Sequence, residues 1–324
     1  MTLTRRLFIA SLASLPLAAR SWAADWPSGP IRIIVPFPAG GSVDAVARLL
    51  APGLQASLGA PIIVENIAGA SGSIGAFAAV RAAPDGNTWL AVFDSHAVNP
   101  SFMPDLPFDS RKDLLPVYLV GTAPHFLATE PSRPYKTFAD VIEAAKKAPD
   151  TITYGSIGIG SLGHLTMVRL ANQAGVKLVH VPYKGGGPLL PAAIGGHIDL
   201  VIASAALLTQ HLKTGKLRPV VQTGKERLPA SPDVQTLAEA GFPGLESHAW
   251  WGFFAPKGTP QPVVERFVGA LKAAIKDEKA QAQLTGGQGM TLVNGGPEEL
   301  KAFFEEQMQV WGKVIKDNNI KPES

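Results

Sequence analysis

One short unit occurs twice in this chain and constrains its fold more than any other feature. In "IRIIVPFPAGGSVDAVARLL" (31–50) an apolar run stops at prolines and glycines, and a helical pattern begins at once. Ile31, Ile33, Ile34 and Val35 read as a buried strand, while Val46, Leu49 and Leu50 recur at helical spacing. Ser42 stands at the expected N-cap. "TITYGSIGIGSLGHLTMVRLANQAG" (151–175) repeats the device and ends at Gly175, a C-cap glycine. A strand that passes straight into an amphipathic helix belongs to parallel α/β layers. The loop between them presents backbone amides at the positive end of a helix dipole, which favours an anion.

Strand and helix patterns alternate through the rest of the chain. Strands are expected at 61–66, 88–93, 117–121, 125–129, 177–183, 198–203, 217–223 and 247–256. A helix is expected at 137–147, another from Pro262, and a C-terminal one at 297–316. The inner face of that last helix would carry Leu300, Phe303, Phe304, Met308, Trp311 and Ile315. The pattern restarts near residue 122, and an apolar strand returns near 250, so the second lobe reads as an insertion in the first. The expected fold class is α/β, two domains around a ligand cleft: 24–122 with 250–324, and 123–249.

Residues 1–23 stand apart. Arg5-Arg6 precede an apolar run that is too short for a membrane span, and Ser21-Trp22-Ala23 has the small residues of a cleavage site. This reads as a twin-arginine-type export signal cut after Ala23; a retained anchor is the alternative. The segment holds three arginines and no acid, so its removal takes the formal charge from +3 to zero, and a nucleic-acid role loses its support. The absence of cysteine excludes disulfides, thiolate metal sites and a cysteine nucleophile.

Catalytic patterns are weak. The 36–42 loop lacks both the dinucleotide-binding spacing and a P-loop lysine. No G-x-S-x-G elbow occurs, and Ser156 and Ser161 have no recognisable base partner. His164 falls in the first turn of a helix, His180 and His197 look isolated, and neither a metal nor a cofactor is expected. Trp250 and Trp251 read as core, and Lys184 as solvated.

The ordered set "RIIVPFPAGGSVDAVAR", "VENIAGASGSIGA", "APDGNTWL", "HAVNPS", "YGSIGIGS", "HVPYKGGGP", "GGHIDLV" and "WWGFFAPKGTP" resembles the Bug, or TctC-like, family over about 26–320. The resemblance implies a periplasmic-binding-protein fold whose two domains close on a small carboxylate and leave it chemically unchanged. It implies that Phe37, Ala39, Gly40, Gly41 and Ser42 hold the ligand from one lobe through backbone amides and bridging water. Ser156, Ile157, Gly160 and Ser161 would do so from the other. Asp94, Ser95, His96, His164, Tyr183 and Ala203 complete the candidate site. The implied partners are membrane transporter subunits or a signalling sensor, and the protein is expected to be a monomer. An exported enzyme acting on a carboxylate is the rival reading. Family members often carry a small residue at the place of Asp94 and an acid at the place of Ala203. Asp94 either caps the following turn or moves an acidic contact to the other lobe, where it would favour a monocarboxylate with a polar or cationic tail.

The export reading has a direct check. The periplasmic form should begin at Ala24, and an intact mass that retains residues 1–23 would refute the cut.

Overall fold

A computed structural model describes residues 26–322, so the export segment and its cut lie outside the described residues. The chain begins β1 (Ile31–Val35), α1 (Ser42–Leu58), β2 (Ile62–Asn66), α2 (Ser73–Val80), β3 (Thr88–Val92), α3 (Ser95–Phe102), α4 (Ser110–Asp113) and β4 (Leu114–Thr129). It continues α5 (Phe138–Lys147), β5 (Thr153–Ser156), α6 (Leu162–Ala174), β6 (Val179–Pro182), α7 (Gly186–Ile194), β7 (Leu200–Ser204), α8 (Ala205–Lys213) and β8 (Arg218–Gln222). The last elements are β9 (His248–Pro256), α9 (Gln261–Lys276), α10 (Glu278–Ala282), β10 (Thr291–Gly295) and α11 (Pro297–Asp317).

The strands run β2-β1-β3-β9-β4-β7-β5-β6, with β8 and β10 also paired to β4. β1 lies parallel to β2 and β3, and β5 parallel to β6 and β7, which is the arrangement the repeated unit predicts. Between these parallel groups stand β9 and β4, antiparallel to each other from Leu114 opposite Pro256 to Pro124 opposite His248. β4 then pairs β7 and β8 through His125–Thr129. Two expected strands, at 117–121 and 125–129, are therefore one 16-residue strand. Register shifts at Pro116/Tyr118 and Leu119/Gly121 bend it, and a bulged strand can change sheets without stopping. That continuity passes the chain from the first parallel group to the second, and β9 brings it back.

Both faces of β9 are buried. Trp250 packs with Ile34, Leu90 and Phe304, while Trp251 belongs to the cluster on the other face with Phe93 and Phe267. The alternation of a strand puts adjacent tryptophans on opposite faces, so each serves a different core. The C-terminal helix buries Leu300, Phe304, Trp311, Val314 and Ile315, close to the predicted stripe; Phe303 and Met308 are only partly covered. Val98 and Phe102 of α3, Leu162 and Leu165 of α6, and Trp311 of α11 form one apolar cluster that joins these three helices.

Trp89 stacks on Phe267 with ring centroids 3.7 Å apart and planes within 5°, and neither ring is exposed. Trp89→Ala should cost about 3–5 kcal/mol, the range for deleting a buried aromatic. Thermal unfolding checks this; a change in Tm of a degree or less would show that the contact is dispensable.

Candidate functional site

The loop after β1 is built around one buried carboxylate. Asp44, in the first turn of α1, accepts from the Gly40 amide at 2.9 Å, from Arg48 Nε at 2.9 and 3.0 Å, and from Asn66 Nδ2 at 2.9 Å. Asn66, the last residue of β2, also donates to the Phe37 carbonyl at 3.0 Å. Burial pushes the Asp44 carboxyl up. The hydrogen bonds from Arg48, Gly40 and Asn66 outweigh that and hold it below the usual range. The Gly40 amide is thus taken by Asp44. Gly40 itself has φ +82°, a left-handed conformation that glycine adopts without strain. The N-cap of α1 is Gly41 rather than Ser42, and no side chain caps it.

This loop forms one wall of a cavity of about 300 Å³ between the two lobes. Phe37, Ala39, Gly40, Gly41, Ser42, Ile157 and Ala203, all candidates from the sequence, line it. Among the lining residues that sequence reasoning missed are Gly185, Gly186 and Gly187 at the start of α7, Ser204 at the start of α8, Phe93, and His125 on β4. The glycine run before α7 was the available signal, legible only as a flexible turn. His125 offered none, because a histidine inside a strand reads like any other alternating residue.

The helix starts set the electrostatics. α1, α7 and α8 open onto the cavity at Gly41, Gly185 and Ser204, and none of these N-caps makes a side-chain capping bond. The first amides of a helix have no intrahelical acceptor and carry the positive end of its dipole. α6 differs, because Ser161 caps it by accepting from the His164 amide. Among the described residues, Lys184 is the single lysine or arginine on the lining; it is exposed, as the sequence suggested, yet stands on the rim.

The second glycine loop is held from within. Ser156 Oγ lies 2.7 Å from His180 Nε2 and 3.2 Å from the Gly158 amide, which donates to it. Ser161 Oγ donates to the Gly158 carbonyl at 2.6 Å, and the Gly160 amide donates to His164 Nδ1 at 3.1 Å. His180, expected to be isolated, stacks on His164 at 4.1 Å, and Ser156 has a histidine neighbour after all. Burial pushes His164 down to about 4. Burial and the His164 ring together push His180 down to about 3. Both imidazoles are therefore neutral near pH 7. Ile157 reaches the cavity lining, whereas Ser156, Gly160, Ser161 and His164 do not and instead bond within the loop. Gly160 has φ +75°, and a Cβ there would meet the Phe102 ring at 2.8 Å. Tyr183 packs against the core below the same loop.

Asp94, Ser95 and His96 follow β3. Ser95 Oγ donates to the Ser71 carbonyl at 3.3 Å, and His96 is buried between Phe254 and Phe304. Asp94 stands at the N-cap of α3 without making the capping hydrogen bond expected of it, and its Oδ2 is 3.9 Å from His125 Nε2. No group of three His, Cys, Asp or Glu among the described residues is placed to hold a metal ion.

Comparison with known proteins follows the same lines. The family described as "Tripartite tricarboxylate transporter family receptor" matches residues 46–320. Protein BugT of Bordetella pertussis is 34% identical over 325 residues, covering 99% of both chains. MatC of Rhodopseudomonas palustris, solved with malate, is 31% identical with a TM-score of 0.83, covering 90% of this chain and 100% of that one. An R. palustris protein solved with adipate is 30% identical with a TM-score of 0.87, covering 92% of this chain and 100% of that one.

The Asp44 node generates a prediction. Asp44→Asn should cost about 1–3 kcal/mol at pH 7, because the Gly40 amide and Asn66 lose a charged acceptor. A carboxylate whose folded pKa is depressed stabilises fully above its unfolded value, about 3.9, and loses that contribution as pH falls through the folded value. The Tm gap between parent and variant should therefore shrink below about pH 4. A gap that is constant with pH would refute the charged-acceptor account.

Proposed function

This chain belongs to the tripartite tricarboxylate transporter receptor family, and we propose that it is a periplasmic receptor that captures a small carboxylate for the membrane subunits of such a transporter. The fold is the two-domain α/β fold of periplasmic solute-binding proteins, and the relatives that share it are receptors rather than enzymes. The observation that carries the proposal is the convergence of three uncapped helix starts, at Gly41, Gly185 and Ser204, on one interlobe cavity. Amides and dipoles bind an anion there without a buried formal cation, so capture does not prevent release. The solved relatives that hold malate and adipate support a carboxylate as that anion.

In this reading the mature chain starts at Ala24, residues 24–122 and 250–324 form one domain, and 123–249 form the other. The β4–β9 crossover between them serves as the hinge, and closure surrounds the ligand. The ligand carboxylate meets the amides of the 36–42 loop from the first lobe and those beside Ile157 and at the start of α7 from the second. Each amide bond to a charged group contributes about 1.5–3 kcal/mol.

Gly40 and Gly160 are poor probes of this arrangement because both need positive φ. Gly41 and Gly187 do not; both line the cavity, a Cβ at Gly187 meets nothing within 4 Å, and one at Gly41 meets only Pro38 O at 3.4 Å. Gly41→Val and Gly187→Val should each weaken adipate or malate binding at least about tenfold, with little change in Tm. Calorimetry on the two folded variants decides it; binding equal to the parent would dismiss the amide model.

A further inference from the structure

Resting on the carboxylate-receptor reading, the geometry points to a second subsite at His125, beside the buried Asp94, for a neutral hydrogen-bonding group on a monocarboxylate ligand. β4 delivers His125 to the cavity wall just where the strand enters the second lobe. Its backbone is pinned on both sides: the amide donates to Thr223 Oγ1 at 2.9 Å, and the carbonyl accepts from the Thr223 amide at 3.0 Å. Ser204, at the start of α8, is its partner in register on β7. Behind the ring stands Asp94, 1% exposed, following Phe93, which lines the same cavity.

Three buried polar atoms of these two residues have no hydrogen-bond partner: both Asp94 carboxyl oxygens, of which Oδ2 lies 3.9 Å from His125 Nε2, and His125 Nδ1. Buried polar atoms are ordinarily paired, and leaving them unpaired is costly. The His125 ring lines the cavity, so a guest group that reaches the imidazole can hydrogen-bond to it. Ala203 lies on the same wall and adds no polar atom of its own.

Charge decides what kind of group fits. Burial pushes Asp94 up and, with His248 nearby, pushes His125 down to about 3. Burial thus works against charge on both members, and the uncharged pair is the state it favours. The other titratable groups facing this region are His248 on β9 and Lys184 on the cavity rim. His248 is also pushed down, first by burial, with Glu246 opposing. A second ionised carboxylate set against this neutral pair would lose its water without gaining a counter-charge. A hydroxyl or an amide gains hydrogen bonds and loses little. The positive helix starts remain for the single carboxylate.

Calorimetry on the mature protein at pH 7.5 tests the subsite with two matched pairs, 6-hydroxyhexanoate against adipate and succinamate against succinate. The parent should prefer the neutral-ended member of each pair at least tenfold. His125→Leu should reduce both preferences to threefold or less. Asp94→Asn, isosteric with the protonated acid, should keep them. Titration of the parent in buffers of different ionisation enthalpy supplies a readout that no variant's folding can confound. Succinate should take up about one proton on binding, and succinamate none. Preference for the diacids, retention of the preference in folded His125→Leu, its collapse in Asp94→Asn, or tight succinate binding without proton uptake would each overturn the subsite. Equal binding of every acid removes the subsite alone. If hexanoate and the four probes all fail to bind, the carboxylate-receptor reading falls, and the subsite falls with it.

Discussion

The antiparallel ladder between β4 and β9 is the constraint on which the rest of the structure depends. It runs from Leu114 opposite Pro256 to Pro124 opposite His248, and β9 is buried along almost its whole length. β9 also binds β3, so the ladder fixes the first parallel group on one side, while the end of β4 carries β7 and β8 on the other. Everything at the cavity is placed by this arrangement. Phe93 leaves the end of β3, His125 lies where β4 changes partners, and Ser204 ends β7 beside it.

The site assembled at that junction handles charge in an unusual way. A buried carboxylate normally needs a cation or several strong donors, because its desolvation otherwise costs several kcal/mol. Asp44 follows that rule, with Arg48, Asn66 and the Gly40 amide around it, and in doing so it shapes the first loop. The cavity leaves the converse arrangement open to a guest: helix starts without side-chain caps and one exposed lysine at the rim. The internal anion is held permanently by charge, whereas the guest would be held by dipoles. Dipoles favour negative charge less strongly than a buried ion pair, which suits a receptor that must let go.

The second glycine loop shows how side chains can brace a cavity wall from within. Ser156, Ser161, His164 and His180 spend their hydrogen-bonding atoms on one another and on the loop backbone. A serine beside a histidine invites a catalytic reading, but Ser156 is fully buried and its hydroxyl is engaged with Gly158. The pair belongs to the scaffold.

Much of this was legible from residue order alone. Apolar runs followed by glycine loops and helical periodicity located β1, α1, β5 and α6, because both patterns depend only on neighbours close in sequence. Gly175 could be assigned as a C-cap for the same reason, and it adopts φ +63°. Strand alternation could assign one of Trp250 and Trp251 to core, and core was the reading for both. What residue order could not reveal was any fact that depends on bringing distant segments together. The fusion of two expected strands into β4 rests on its register with β9, more than a hundred residues away. The stacking of His164 on His180, the approach of His125 to Asp94, and the convergence of α1, α7 and α8 are likewise products of sheet order. Local periodicity determined which elements form and which loops carry spare amides. Tertiary pairing alone decided which of those amides face the cavity and which are already consumed, as the Gly40 amide is by Asp44, because hydrogen-bond satisfaction belongs to the assembled fold.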